Sequence, residues 1–129
     1  MKRIERNKWN SLVFEFAQKA LQERKDVLEW HRNLRGYSDE HVDQLLGRWG
    51  FWPEDQDAFQ RFLSKNGHYC DQELFELLGL YRNRYPLMTA RFVYVHLDGK
   101  GQPGYFMGRA TPWTPTFDDG SEPPKVIAQ

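Results

Sequence analysis

The chain has 129 residues, of which 40% are hydrophobic, 28% charged and 16% aromatic, so it carries enough apolar material for one globular domain and too much for a disordered tail. Eighteen Lys and Arg balance eighteen Asp and Glu, which removes any bulk attraction to nucleic acid or to a membrane surface and leaves only local charge effects. A single cysteine, Cys70, excludes an intramolecular disulfide and suits a reducing compartment, with the cytoplasm as the expected location. The run Leu12-Val13-Phe14 is too short for a signal sequence, and no stretch is long enough to span a membrane.

In chain order, Trp9 to Leu34 contains neither Gly nor Pro, and its apolar residues recur at three- and four-residue steps, the pattern of an amphipathic helix. Gln22 to Asp26 lacks an apolar residue for a full turn, so the helix is expected to bend, break or protrude there, and Gly36 ends it. Ser38 before Asp39-Glu40 reads as the cap of a second, short helix. Trp49-Gly50-Phe51-Trp52 reads as a bulky aromatic turn, Pro53 as the first position of a third helix ending at Asn66-Gly67, and Cys70 or Asp71 as the start of a fourth that stops by Tyr85. After Pro86 the period changes. Thr89–Leu97 and Gly104–Thr111 read as two strands of a hairpin joined by Asp98-Gly99-Lys100-Gly101-Gln102. The expected organisation is one α+β domain over residues 1–114, a helical two-thirds of about four helices followed by an antiparallel β-hairpin, with residues 115–129 as a flexible Pro- and Asp-rich tail hooked only by Val126-Ile127. A lone two-stranded hairpin is marginal, so it needs helices or further strands, and a homodimer is one expected source.

The charge is distributed in blocks: +4 over residues 1–35, −6 over 36–79, +4 over 80–114 and −2 over the remainder. The second positive block sets Arg82, Arg84, Arg91, Lys100 and Arg109 among Tyr81, Tyr85, Phe92, Tyr94, Tyr105, Phe106 and Trp113, a mixture that can stack and neutralise a single strand. Strand parity, however, puts Arg91 opposite Phe92, Tyr94 and His96, which weakens that reading. A helix-turn-helix across Gly47–Trp52 is disfavoured because Glu54, Asp55 and Asp57 would meet phosphate. His68-Tyr69-Cys70, with His31 and His41 upstream, lacks the paired short spacings of a zinc site, so no metal is expected. Ser11, Ser38, Ser64 and Ser121 stand in no nucleophile motif, and Asp98-Gly99-Lys100-Gly101 is a turn rather than a phosphate loop. No catalytic residue and no cofactor is therefore expected.

Large aromatics in turns either lock the turn over the core or anchor an interface. On that ground the leading expectation is a non-enzymatic protein-binding domain of inhibitor, immunity or adaptor type, with Trp49, Phe51, Trp52, Arg91, Arg109 and Trp113 as partner-binding residues. The alternative is a single-stranded nucleic-acid-binding protein that uses the basic aromatic hairpin region.

Overall fold

The computed structural model describes residues 6–69, 72–82, 85–116 and 119–129. Cys70, Asp71 and Arg84, named above, lie outside the described residues. The order is α1 (Arg6–Gln22), α2 (Lys25–Arg35), α3 (Asp39–Leu45), a 3-10 turn (Leu46–Arg48), β1 (Trp49–Phe51), α4 (Ala58–Lys65), α5 (Gln72–Leu77), β2 (Tyr81–Arg82), β3 (Tyr85–Pro86), β4 (Phe92–Leu97), β5 (Pro103–Arg109) and β6 (Val126–Ala128). Helices dominate the first half and an antiparallel sheet the second, as an α+β chain should.

The long N-terminal helix breaks where the apolar stripe lapses. Arg24 leaves helical geometry at φ −121°, ψ 73°. Its guanidinium bridges Asp26 and Glu54, each at 3.0 Å, and lies 5.0 Å from the centre of the Phe51 ring. α2 ends on Gly36, whose φ of 67° suits the left-handed cap position that glycine takes without strain. Ser38 caps α3 as expected, its hydroxyl accepting from the His41 amide at 3.2 Å.

Three local readings are corrected. Trp49-Gly50-Phe51 is a strand, not a turn, and all three residues are buried. The residues after Pro53 form a loop in which Asp55 accepts from the Asp57 amide at 2.9 Å, a local bond that competes with helix, so α4 starts only at Ala58. The fourth helix stops well short of Tyr85 because Gly79, at φ 76°, closes it. There the Gly79 amide donates to Glu76 and the Leu80 amide to Phe75, and the chain continues into the β2–β3 ribbon.

The hairpin β4–β5 is the centre of a four-stranded antiparallel sheet in the order β1-β4-β5-β6. The strands it needed come from its own chain, which removes the reason for expecting them from a second copy. The end of the expected tail is β6. The Ala110 amide donates to Lys125, and the Gln129 amide side chain donates to Asn10 and Leu78 at 3.0 and 2.8 Å. Arg91, 4% exposed, donates through Nη1 to the carbonyls of Gly108 and Pro124 at 3.2 and 2.9 Å, tying that segment to the sheet.

Two apolar clusters sandwich the sheet. On one face Val93, Val95 and Phe106 meet Val13 and Phe16 of α1, with Phe59 and Leu63 of α4. On the other, Trp49, Phe51 and Phe92 meet Leu21, Val27 and Val42. The tightest approach is between α1 and β1: a Cβ added at Gly50 would lie 2.6 Å from Ala17 Cβ and 3.0 Å from its backbone carbon. Because the obstacle includes helix backbone, Gly50→Ala is expected to destabilise the domain by about 1–3 kcal/mol in denaturant titration. Gly47→Ala, with nothing within 4 Å, is expected to change stability little.

Candidate nucleic-acid interface

Register decides what the second sheet face presents. Across β4 and β5 the pairs are Phe92–Arg109, Tyr94–Met107 and His96–Tyr105. Directly opposed residues share a face, so these six side chains stand together, with Trp49 and Phe51 of β1 beside them. α2 and α3 cover the Trp49–Phe51–Phe92 end and bury it. They stop short of the other end. There Tyr94 and Met107 are half-buried, while His96 and Tyr105 are exposed.

His96 and Tyr105 form a flat stacked pair, ring centroids 4.5 Å apart and 3° from parallel, with Tyr105 47% exposed. Arg109 of β5 and Arg35 at the C-terminal end of α2 approach the same face, and both act electrostatically on Tyr94 and His31. Arg35 also hydrogen-bonds the Tyr94 side chain. A hollow lined by Leu45, Arg48, Trp49, Tyr94, His96 and Leu97 continues this face toward the 3-10 turn, where Arg48 is exposed. The result is an aromatic surface bordered by three arginines on a chain whose net charge is zero.

The residues nominated from sequence are distributed differently. Trp49, Phe51 and Trp52 are 4%, 0% and 1% exposed, so they are core side chains and not surface anchors. The strand alternation and the two covering layers of helix explain why: β1 is enclosed on both faces. Arg91 is buried and spent on backbone carbonyls, and burial lowers its pKa from the usual arginine value. Trp113 is half-buried, its ring edge-on to Trp30 at 6.4 Å and beneath the Arg24 guanidinium at 5.5 Å. The Trp113 amide donates to Thr111, whose hydroxyl donates in turn to Ala90, a residue at φ 55°. Trp113 thus locks the turn after β5. Arg109 alone of the six joins the exposed aromatic face.

Sequence reasoning missed Arg35, Arg48 and His31. The signal for the face was present in β5, where Tyr105, Met107 and Arg109 share parity, whereas the parity of β4 taken alone separates Arg91 from the aromatics. Arg35 and Arg48 come from elements whose docking the sequence does not disclose.

No family model matches the chain, and no curated protein does. The fold is shared with part of the catalytic core of DnaG primases. The RNA polymerase domain of Mycobacterium tuberculosis primase DnaG, in complex with a double-stranded DNA oligomer with a 6-nucleotide overhang, superposes with a TM-score of 0.70 at 20% identity, covering 98% of this chain and 38% of that one. The E. coli primase catalytic core gives 0.64 at 19% identity, over 93% of this chain and 37% of that chain. A DnaG primase catalytic domain bound to single-stranded DNA gives 0.66 at 19%, over 95% and 38%. This chain therefore spans under two-fifths of the length of these structures.

These likenesses overturn the leading expectation. The fold occurs within the catalytic core of an enzyme, not in a protein inhibitor or adaptor, and two of these three structures hold DNA. The expectations of a non-enzymatic chain, and of a protein partner ahead of nucleic acid, fall with it. Among the described residues no helix is long and apolar enough to cross a membrane.

His31 offers a check on the packing beneath this face. It is 0% exposed, and its pKa is lowered from 6.5 to about 4 by burial, with smaller contributions from Arg35 and Arg109. The folded pKa lies below the unfolded one, so this contribution to stability is present above about pH 6.5 and is lost as pH falls toward 4. Between about pH 7 and 4.5 the loss from this one group is roughly 2 kcal/mol. Chemical denaturation of wild type and His31→Phe over that range should show the excess acid sensitivity in wild type only.

Proposed function

We propose that this chain is a nucleic-acid-binding module of primase type, which holds a single strand on the exposed aromatic end of the sheet. The observation that carries the reading is the convergence of Arg35 and Arg109, from α2 and β5, on the half-buried Tyr94 beside the exposed His96–Tyr105 stack. Bases can stack on the flat ring pair, and the arginines stand at its border where phosphates would pass. The likeness to a primase catalytic domain bound to single-stranded DNA supports the same ligand class.

In this reading the module serves primer synthesis by holding the template strand, and the described side chains contribute grip and orientation. Such work fits a cytoplasmic protein with one cysteine. The neutral net charge fits as well: attraction is confined to one face, and α3 together with the loop before α4 keeps its carboxylates elsewhere, with Glu54 and Asp55 in ion pairs to Arg24 and Arg61.

The test is a fluorescence-anisotropy titration with a labelled single-stranded oligonucleotide at several salt concentrations. Arg35→Ala and Arg109→Ala are each expected to weaken binding, and removing one arginine–phosphate pair should reduce the slope of log affinity against log salt by about 0.7. Tyr105→Ala should cost about 1–3 kcal/mol with little change in that slope, since it removes stacking rather than charge. Equal binding by wild type and all three variants would overturn the proposal.

A further inference from the structure

His31 is a titratable ring placed where an apolar one would pack as well. Phe92 stacks on it at 3.8 Å and 6° from parallel, and Trp49 meets it edge-on at 4.6 Å. Burial leaves Nδ1 without a hydrogen-bond partner among the described residues, a cost that a phenylalanine would avoid. What the imidazole adds is at its other nitrogen: Nε2 lies 2.6 Å from the Tyr94 hydroxyl oxygen. That same hydroxyl is hydrogen-bonded by the Arg35 side chain.

The geometry points to a positioning relay in which buried His31 fixes the Tyr94 hydroxyl, and the Tyr94 oxygen holds the Arg35 guanidinium over the sheet face for a strand's phosphate. It rests on the nucleic-acid reading above for its ligand, and on the three side chains alone for its mechanism. A guanidinium only donates, so the Tyr94 oxygen accepts from Arg35 and its own proton is directed to Nε2. The phenol is then a donor at one side and an acceptor at the other, and each bond polarises the next.

The relay answers a physical difficulty. Arg35 is exposed and at the end of a helix, so its long side chain would otherwise sample many rotamers and lose that freedom when it met a phosphate. One hydrogen bond to a ring wedged between α2 and the sheet removes much of the freedom beforehand, and the remaining guanidinium donors stay available. The imidazole must be neutral to accept the phenol proton and to avoid repelling Arg35 and Arg109, and burial keeps it so.

The relay is tested by NMR and by binding on the full chain. In wild type the Arg35 Nε–H is expected to exchange more slowly than that of Arg48. In Tyr94→Phe, which keeps the ring and removes the oxygen, Arg35 should exchange as fast as Arg48, and affinity for a labelled oligo-dT 12-mer should fall about fivefold. His31→Phe should act in the same direction, whereas His31→Gln, which offers an acceptor, should restore part of both signals. Arg35 exchange equally fast in wild type and Tyr94→Phe overturns the relay, whatever the oligonucleotide does. Protection of Arg35 with a Tyr94→Phe affinity equal to wild type overturns its positioning role. Protection that is lost in Tyr94→Phe, in a chain that binds no oligonucleotide, supports the relay's geometry and overturns the nucleic-acid reading instead.

Discussion

The half-covered sheet face depends on the break between Gln22 and Lys25. Were the first two helices one rod, α2 would continue along the line of α1 on the opposite side of the sheet. The polar turn at Glu23-Arg24 ends α1, and Arg24 secures the new direction through Asp26, Glu54 and the Phe51 ring. α2 then lays Val27 and His31 onto Trp49, Phe51 and Phe92. Its length of eleven residues brings it to Gly36 with Arg35 beside Tyr94, and leaves His96 and Tyr105 uncovered. One break therefore produces both the second core and the edge at which that core gives way to a binding face.

The two sheet faces illustrate the same physics with different ends. Val93, Val95 and Phe106 are closed over by α1 and α4, and their burial supplies stability. Phe92, Tyr94 and His96 grade from fully buried to exposed along one strand. A ring at the boundary has an apolar body to pack and a polar edge to offer, which is why tyrosine and histidine stand there. Arg91, one residue from Phe92 but on the other parity, is consumed in holding Pro124 and Gly108, so parity alone separates the structural arginine from the functional one.

The sequence made much of the architecture legible. The lapse in the apolar stripe marked the break after Gln22, Ser38 marked its helix, and the β-branched and aromatic run after Thr89 marked the hairpin. It misled where local composition and tertiary demand diverge. Trp49-Gly50-Phe51-Trp52 resembles a turn because glycine sits among aromatics, yet that glycine is there because Ala17 of α1 leaves no room for a Cβ. Leu74 to Tyr81 carries helical spacing, but Gly79 in the left-handed region ends the helix. The site was half legible: Tyr94, Tyr105 and Arg109 were named within a basic aromatic patch, whereas Arg35 and Arg48 arrive only when α2 and the 3-10 turn dock.

The central claim is that one end of one sheet face receives a single strand. Its most direct measurement is a 15N–1H NMR titration of the chain with an unlabelled single-stranded oligonucleotide. The account expects shifts concentrated at Tyr94, His96, Tyr105, Met107 and Arg109, with Arg35 and Arg48 at the border, and little change across α1 and α4. Shifts centred on α1, α4 or the loop before α4, or no shifts at a saturating concentration, would contradict it.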